Sequence, residues 1–439
     1  MKLLAYLFLI IAFGQEINAQ AGKIEFVEYK LNNGLHVILH QDQTTPNVVV
    51  EIMYHVGAKN DPPERTGFAH FFEHLLFEGS ANIGRGEFSE IVERSGGQLN
   101  AGTSFDYTTY FVLLPSNQLE LGLWLESERM LHPVIDSIGI ATQKDVVTEE
   151  MKQVRDNRPY GRILAELLGA AYTVHPYQND ILGKAEHIRA ATMEDVNYFH
   201  ETYYGPNNAV LVVAGDIDIE ETKKLVAKYF ADIPRGRFEI KNQMAKEPIR
   251  TGEIRTSFYD NIQLPALVLG YPIPAQGTED YYAVSMLGTL MSQGQSSRMY
   301  KALVDDTQKA LQVMAIPLGL EHPGLFIVFG IPNMGVELHD LEAGMNKELE
   351  RVKNELISER ELQKLKNQME SQFVNNNTTI SSRANSLAMY QTFFKDTNRI
   401  NTDLENYLKV TREDIMRVAR EYLNPNRRVV LNYLPQPKE

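Results

Sequence analysis

Cysteine is absent from all 439 residues, which excludes disulfide staples, a thiolate nucleophile and any zinc site built on sulfur. A metal ion bound here has to be held by His, Asp or Glu. Positive charge is also scarce: 43 Lys and Arg stand against 57 Asp and Glu, a formal net charge of −14. Nucleic-acid surfaces run on an excess of Lys and Arg, so this balance argues against such a partner. Beyond the N-terminal segment no apolar run is long enough to cross a bilayer. Hydrophobic residues at 43% and charged residues at 23% are the proportions of a folded soluble protein. The length suggests two domains of roughly 200 residues, each with its own core.

What is present begins with an address. Residues 1–19 read MKLLAYLFLIIAFGQEINA: a positive Lys2, an apolar stretch over residues 3–14, and Ala19 before Gln20. That is the pattern of a signal peptide cleaved after residue 19, with an uncleaved anchor as the alternative. The expectation is a periplasmic or secreted protein, free of the membrane once the signal is removed.

The rest of the chain repeats itself. Thr192, Glu194 and Asp195 match Thr411, Glu413 and Asp414, and Tyr203, Pro206, Asn207 and Val210 match Tyr422, Pro425, Asn426 and Val429. Every pair stands 219 positions apart. Both stretches read as a capped helix, a Pro-Asn turn and an apolar strand. An ungapped match through three kinds of local structure indicates an internal duplication. The expected division is an N-terminal half at 20–233, a polar linker at 234–255 and a second half at 256–439. Strands are expected at 35–41, 48–56 and 105–114, and helices at 67–77, 145–155 and 161–171. This order lacks regular βαβ alternation, so the fold class is α+β. Each half should be a mixed, mostly antiparallel sheet with helices packed on one face.

The chemistry is concentrated in residues 67–77, GFAHFFEHLLF. At about 100° per residue, His70 and His74 fall on one helical face one turn apart, with Glu73 beside them. The other positions are almost all apolar, so the helix is buried. Two imidazoles and a carboxylate there call for a compensating partner. A divalent cation is such a partner, and a catalytic zinc takes three protein ligands. The third is sought on the 145–155 helix, whose apolar stripe is Val147, Met151 and Val154. Glu150 lies about 60° from that stripe and turns inward, whereas Glu149 points to solvent.

His70-Phe-Phe-Glu-His74, together with Glu150 in Val-Val-Thr-Glu-Glu-Met, resembles the insulinase/pitrilysin family of inverted-motif zinc peptidases, close to the mitochondrial processing peptidases. The flanking Gly67-Phe-Ala and Phe77-Glu-Gly-Ser, and the duplicated halves, extend the resemblance along nearly the whole mature chain. It implies that His70, His74 and Glu150 bind Zn2+ and that Glu73 is the general base of a zinc-dependent endopeptidase. The substrate would be an extended peptide or unfolded segment. It also implies that Asn100 and Ala101 form a sheet edge that pairs with the peptide. On the residues alone, 99–103 reads equally as a Gly-containing turn before a strand.

Two departures stand out. Active single-chain members carry an Arg and, seven positions on, a Tyr in the second half; here those positions are Val304 and Leu311. Neither side chain can donate a hydrogen bond. Gln143 stands where relatives often have Glu and is expected to support the Glu150 face as a neutral partner. The resemblance therefore implies a homologous partner subunit that supplies the Arg/Tyr pair, as a heterodimer or a homodimer. A non-catalytic assembly subunit and a metal-storage module are the alternative readings.

Overall fold

The computed structural model describes residues 23–240 and 244–437; the signal peptide expected at 1–19 lies outside the described residues. Two sheets organise it. The first takes β1 (Val27–Lys30), β2 (His36–Gln41), β3 (Asn47–Tyr54), β4 (Gln98–Thr103), β5 (Thr108–Pro115) and β6 (Ala209–Gly215), in the order β1-β2-β6-β3-β5-β4. The second takes β7 (Ile254–Asp260), β8 (Ala266–Pro272), β9 (Ala310–Leu318), β10 (Leu325–Pro332) and β11 (Val429–Pro435), in the order β7-β11-β8-β10-β9. In each, one pair is parallel (β2 with β6, β7 with β11) and the strands from there to the β4 or β9 edge are antiparallel. The fold is α+β, and the second sheet repeats the first without a counterpart of β1.

The helices of the first half are α1 (Phe68–Leu75), α2 (Glu87–Arg94), α3 (Leu119–Leu131), α4 (Ser137–Met151), α5 (Ile163–Ala171), α6 (Ala185–Arg189), α7 (Met193–Tyr203) and α8 (Ile219–Phe230). Those of the second are α9 (Glu279–Ser292), α10 (Leu338–Asn354), α11 (Glu359–Asn375), α12 (Ile380–Phe394), α13 (Arg399–Lys409) and α14 (Arg412–Tyr422). The repeated sequence lands on α7 and α14, and its capping pairs form in both. Thr192 Oγ1 accepts the Asp195 N–H at 3.1 Å, and Thr411 Oγ1 accepts that of Asp414 at 3.1 Å. Each acid returns the bond to the backbone N–H of its Thr, which satisfies donors that a helix start leaves open.

The sequence pattern did not reveal how the halves are joined. Val48, Val50 and Ile52 of β3 face the core under α1. Val49 and Met53, pointing the other way by strand alternation, join Ile38, Val210 and Val212 against Ala384, Leu387 and Ala388 of α12. Reciprocally, Leu167 and Leu168 of α5 pack on Ala266, Val268, Val429 and Leu431 of the second sheet. Each half thus lends one helix to the far face of the other's sheet. That explains why the central strands read as continuous apolar runs.

A polar knot completes the junction. Lys59 Nζ, buried, contacts Asp106 at 3.1 Å and also the Glu321 carboxylate. His55 Nε2 lies 2.7 Å from the same Glu321 oxygen. Asp106 accepts from the Tyr177 hydroxyl and from the Glu321 backbone N–H at 3.0 Å. Asp106 sits in the β4–β5 turn and Glu321 in the β9–β10 turn, so the knot fixes one hairpin tip against the other.

Two expected elements differ. The strand expected at 105–114 starts at Thr108, because Ser104 N–H bonds the Tyr107 carbonyl at 2.8 Å in the β4–β5 turn. The helix expected at 145–155 starts earlier, at Ser137, where Asp136 accepts the Gly139 N–H at 2.7 Å. It leaves α geometry after Met151, and Lys152–Asp156 form a π-helical turn. Val147 and Met151 are buried as expected, but Val154 is 42% exposed. The wider i→i+5 turn breaks the spacing that would have kept it on the stripe.

Candidate metal centre

Helix α1 is short, eight residues, and too short to hold its shape alone. Its surroundings hold it. Gly67 begins it at φ +89°, a left-handed value that glycine adopts without a steric cost. With no cap side chain available there, Asp61 reaches in from the preceding loop and accepts the Gly67 and Ala69 N–H groups at 2.7 and 2.8 Å. Burial pushes the Asp61 carboxyl up to about 8, and these backbone N–H groups pull it back. At the other end Arg129 Nη1 donates to the Leu76 carbonyl at 2.8 Å. That guanidinium is fully buried, pairs with Glu126 at 3.0 Å, and lies 4.1–4.7 Å from the ring centres of Phe77, Phe88 and Tyr110. Phe68, Phe71 and Phe72 anchor the apolar faces of α1.

The remaining face carries His70, Glu73 and His74. Helix α4 brings Glu150 against it: one Glu150 carboxylate oxygen lies 3.6 Å from His70 Nε2 and 3.2 Å from His74 Nε2. One ligand atom from each of the three lies within 4.8 Å of the others, and this is the one such cluster among the described residues. A tetrahedral zinc with nitrogen and oxygen ligands at about 2.0–2.1 Å separates neighbouring ligand atoms by about 3.3 Å. Both carboxylate–imidazole separations bracket that figure, and the His2Glu donor set suits zinc. The residues fit the ion.

Electrostatics agree with this fit. Burial, reinforced by neighbouring His74, pushes the His70 imidazole down to about 4, so it is neutral and has a lone pair to donate. The hydrogen bond with His74 is the main cause that holds Glu150 below the usual carboxylate range, against the cost of burial. Glu73 is pushed upward by burial and eased back by the Thr103 hydroxyl, which donates to Glu73 Oε2 at 2.7 Å.

Asn100 and Ala101 lie in β4, the outer strand of the first sheet, paired on one side only with Phe111 and Tyr110 of β5. Thr103 at the end of the same strand touches Glu73, so the open edge and the metal face adjoin. The Gln143 amide donates to Glu78, which in turn meets Arg85. Gln143 stands two turns before Glu150 on α4, about 10 Å along the helix axis. His70 Nδ1 is buried and has no hydrogen-bond partner among the described residues. Val304 lies in a second π turn, Tyr300–Asp306, and Leu311 is exposed on β9. Arg298, two residues before Tyr300, is bound to Glu361 at 2.9 Å.

Asp61, Thr103 and Arg129 were not identified from sequence. Arg129 had a signal: Glu126 and Arg129 stand at i and i+3 on one helix, the spacing at which opposite charges pair. Thr103 and Asp61 are ordinary loop and strand residues whose contacts are set by tertiary structure.

Comparison with known proteins places this geometry. The sequence pattern of the insulinase family (peptidase family M16) matches residues 36–185, and that described as the peptidase M16 inactive domain matches 190–369. The zinc protease PqqE of Helicobacter pylori is 31% identical over 418 residues, covering 94% of each chain. An uncharacterized zinc protease of Bacillus subtilis, YmxG, is 26% identical over 344 residues, 78% of this chain and 82% of that one. The crystal structure of a protease from Helicobacter pylori superposes with a TM-score of 0.89 at 29% identity, covering 94% of this chain and 100% of that one. With its two repeated halves and the His70/Glu73/His74 face closed by Glu150, the chain belongs to the insulinase family of peptidases, M16.

Proposed function

We propose that this chain is a zinc-dependent endopeptidase of extended peptides or unfolded protein segments, exported by its N-terminal signal to the periplasm or medium. The observation that carries the reading is the convergence of three ligand atoms within 4.8 Å beside a carboxylate that is not among them. A storage site has no use for that fourth group. The relatives' name, zinc protease, supports the same reading.

In this reading His70, His74 and Glu150 hold the ion. Zinc held there would supply a Lewis acid for the scissile carbonyl and would lower the pKa of water to about 7. Glu73 accepts the proton of the attacking water and passes it to the departing amine. Burial raises its basicity, and Thr103 keeps its carboxylate from swinging away. Asn100 and Ala101 on the open edge of β4 pair with the peptide backbone, so recognition depends on an extended shape more than on side chains.

The oxyanion side is incomplete. Val304 and Leu311 carry no donor, which supports a homologous partner that brings an Arg and a Tyr to the site. The two halves, 20–233 and 256–439 joined by 234–255, would then form one side of a chamber. The test is turnover of extended fluorogenic peptides by the purified chain, alone and with such a partner. The expected result is weak turnover alone and strong turnover in the pair. Full turnover by a lone monomer refutes the divided site.

The second reading, a non-catalytic subunit of a peptidase-like assembly, draws on the same two missing donors. It requires that replacing Glu73 leave the assembly's activity unchanged.

A further inference from the structure

The metal face is divided between two helices that do not follow one another in sequence, so something has to fix α4 against α1. Arg155 is placed to do so. It follows Glu150 by five residues, within the π turn Lys152–Asp156, and its side chain is 11% exposed. Its Nη1 donates to the two Asp180 carboxylate oxygens at 3.3 and 3.1 Å and to the Gly183 carbonyl at 2.7 Å. Its Nε donates to Asp156 at 3.0 Å. Asp180 also accepts the Gly183 N–H at 2.8 Å, so one carboxylate folds the 180–183 loop and grips Arg155.

That loop abuts the start of α1. Gly183 has φ +65° and Gly67 φ +89°. A Cβ on Gly183 would collide with the Thr66–Gly67 peptide, and one on Gly67 would collide with the Leu182 carbonyl. Lys184 N–H bonds Thr66 Oγ1 at 3.1 Å. The links therefore run from Glu150 through Arg155, Asp180 and Gly183 to Gly67, three residues before His70. A partly buried guanidinium with a carboxylate and a carbonyl on one nitrogen is a rigid connection, which a lysine's single mobile ammonium does not reproduce.

We infer that the Arg155–Asp180 clasp is a positioning device that sets the Glu150 carboxylate against His70 and His74, and so sets zinc affinity. The inference rests on the metal reading above. Arg155 touches neither ion nor substrate and acts only through Glu150.

The test is zinc affinity, measured on the full mature chain by competition with a chelating dye, with the melting temperature of the zinc-free protein recorded alongside. In Arg155→Gln and in Asp180→Asn the zinc dissociation constant is expected to rise about 10- to 100-fold, the range seen when groups supporting metal ligands are removed. The double variant is expected to lose no more than the worse single one, because both remove the same link. Asp180→Asn is nearly isosteric and serves if Arg155→Gln does not fold. Arg155→Lys should fall between wild type and Arg155→Gln. Folded variants with a lowered melting temperature and an unchanged zinc constant show a merely structural pair and overturn the inference. A wild-type chain that takes up no zinc overturns the metal reading and the clasp with it. A wild-type chain that binds zinc no more tightly than its variants overturns the clasp alone.

Discussion

The two halves share strand order, strand directions and capping boxes, yet only one carries a cluster of potential metal ligands among the described residues. Helix α1 follows the first half's central strand β3 and carries His70, Glu73 and His74. Helix α9 follows the matching β8, and its acidic residues, Glu279 and Asp280, lie in its first turn. The residues 219 positions on from His70, Glu73 and His74 are Thr289, Ser292 and Gln293, and 219 on from Glu150 is Met369, which is buried. Ser292 still links its helix to the edge strand of its sheet, donating to the Ala315 carbonyl of β9 at 3.1 Å. In the first half the corresponding tie runs from Thr103 to Glu73. The scaffold therefore forms with or without the His70/Glu73/His74/Glu150 cluster, and a few polar residues on two helices separate the half that carries it from the half that does not.

The largest effect that would sharpen this contrast is loss of the base. Glu73→Gln is expected to lower kcat about 10²- to 10⁴-fold, the usual contribution of a general base, with zinc content unchanged. Ser292→Ala, the corresponding change in the second half, should leave kcat within about twofold of wild type. Equal losses at both positions would erase the functional asymmetry.

The next tests address what the halves share. Lys59→Met leaves the buried Asp106 and the half-buried Glu321 without their cation, and breaking a buried pair from one side costs about 3–5 kcal/mol. Urea unfolding reads this directly. Leu167→Ala on α5 and Leu387→Ala on α12 each empty a fully buried position between one half's helix and the other's sheet. Each is expected to cost about 2–5 kcal/mol within a single cooperative transition. Two separated transitions in either variant would mean that the exchanged helices do not couple the halves.

A smaller effect depends on pH. Glu51 of β3 is buried under α12, accepts from Asn385 and Thr109 at 2.9 Å each, and is pushed by burial from 4.5 to about 7. A carboxyl raised in the folded state keeps its proton longer there than in the unfolded chain. Its stabilising contribution is thus full below pH 4.5 and is lost as pH rises through about 7. Glu51→Gln should flatten the fall in urea midpoint between pH 5 and 8, by on the order of 2–3 kcal/mol at the alkaline end. A variant whose pH profile overlays that of wild type would place the titrating group elsewhere.

How far the sequence reached follows from these contrasts. Regular periodicity made the repeats legible: α7 and α14, with their Thr–Asp caps, are local structures whose signals lie within a dozen residues. The His70/Glu73/His74 face was legible for the same reason, because one helical turn sets its geometry. Glu150 was reached by helical phase as well, since α4 stays regular through Met151. Val154 was misplaced where the π turn breaks that phase. Gln143 shares the phase of Glu150 two turns back, but the Glu78 carboxylate that its amide meets is set by tertiary structure. The exchanged helices, the Lys59 knot and the roles of Asp61 and Thr103 depend on which segments meet across long loops, and no local period encodes that.

The most direct measurement is the metal stoichiometry of the purified mature chain, by elemental analysis after equilibration with zinc and removal of the free ion, beside Glu150→Gln and His70→Ala. One tightly held zinc per wild-type chain, lost from both variants while they remain folded, is the predicted result. A wild-type chain without zinc, or variants that retain it, would contradict the assignment of His70, His74 and Glu150 as its ligands.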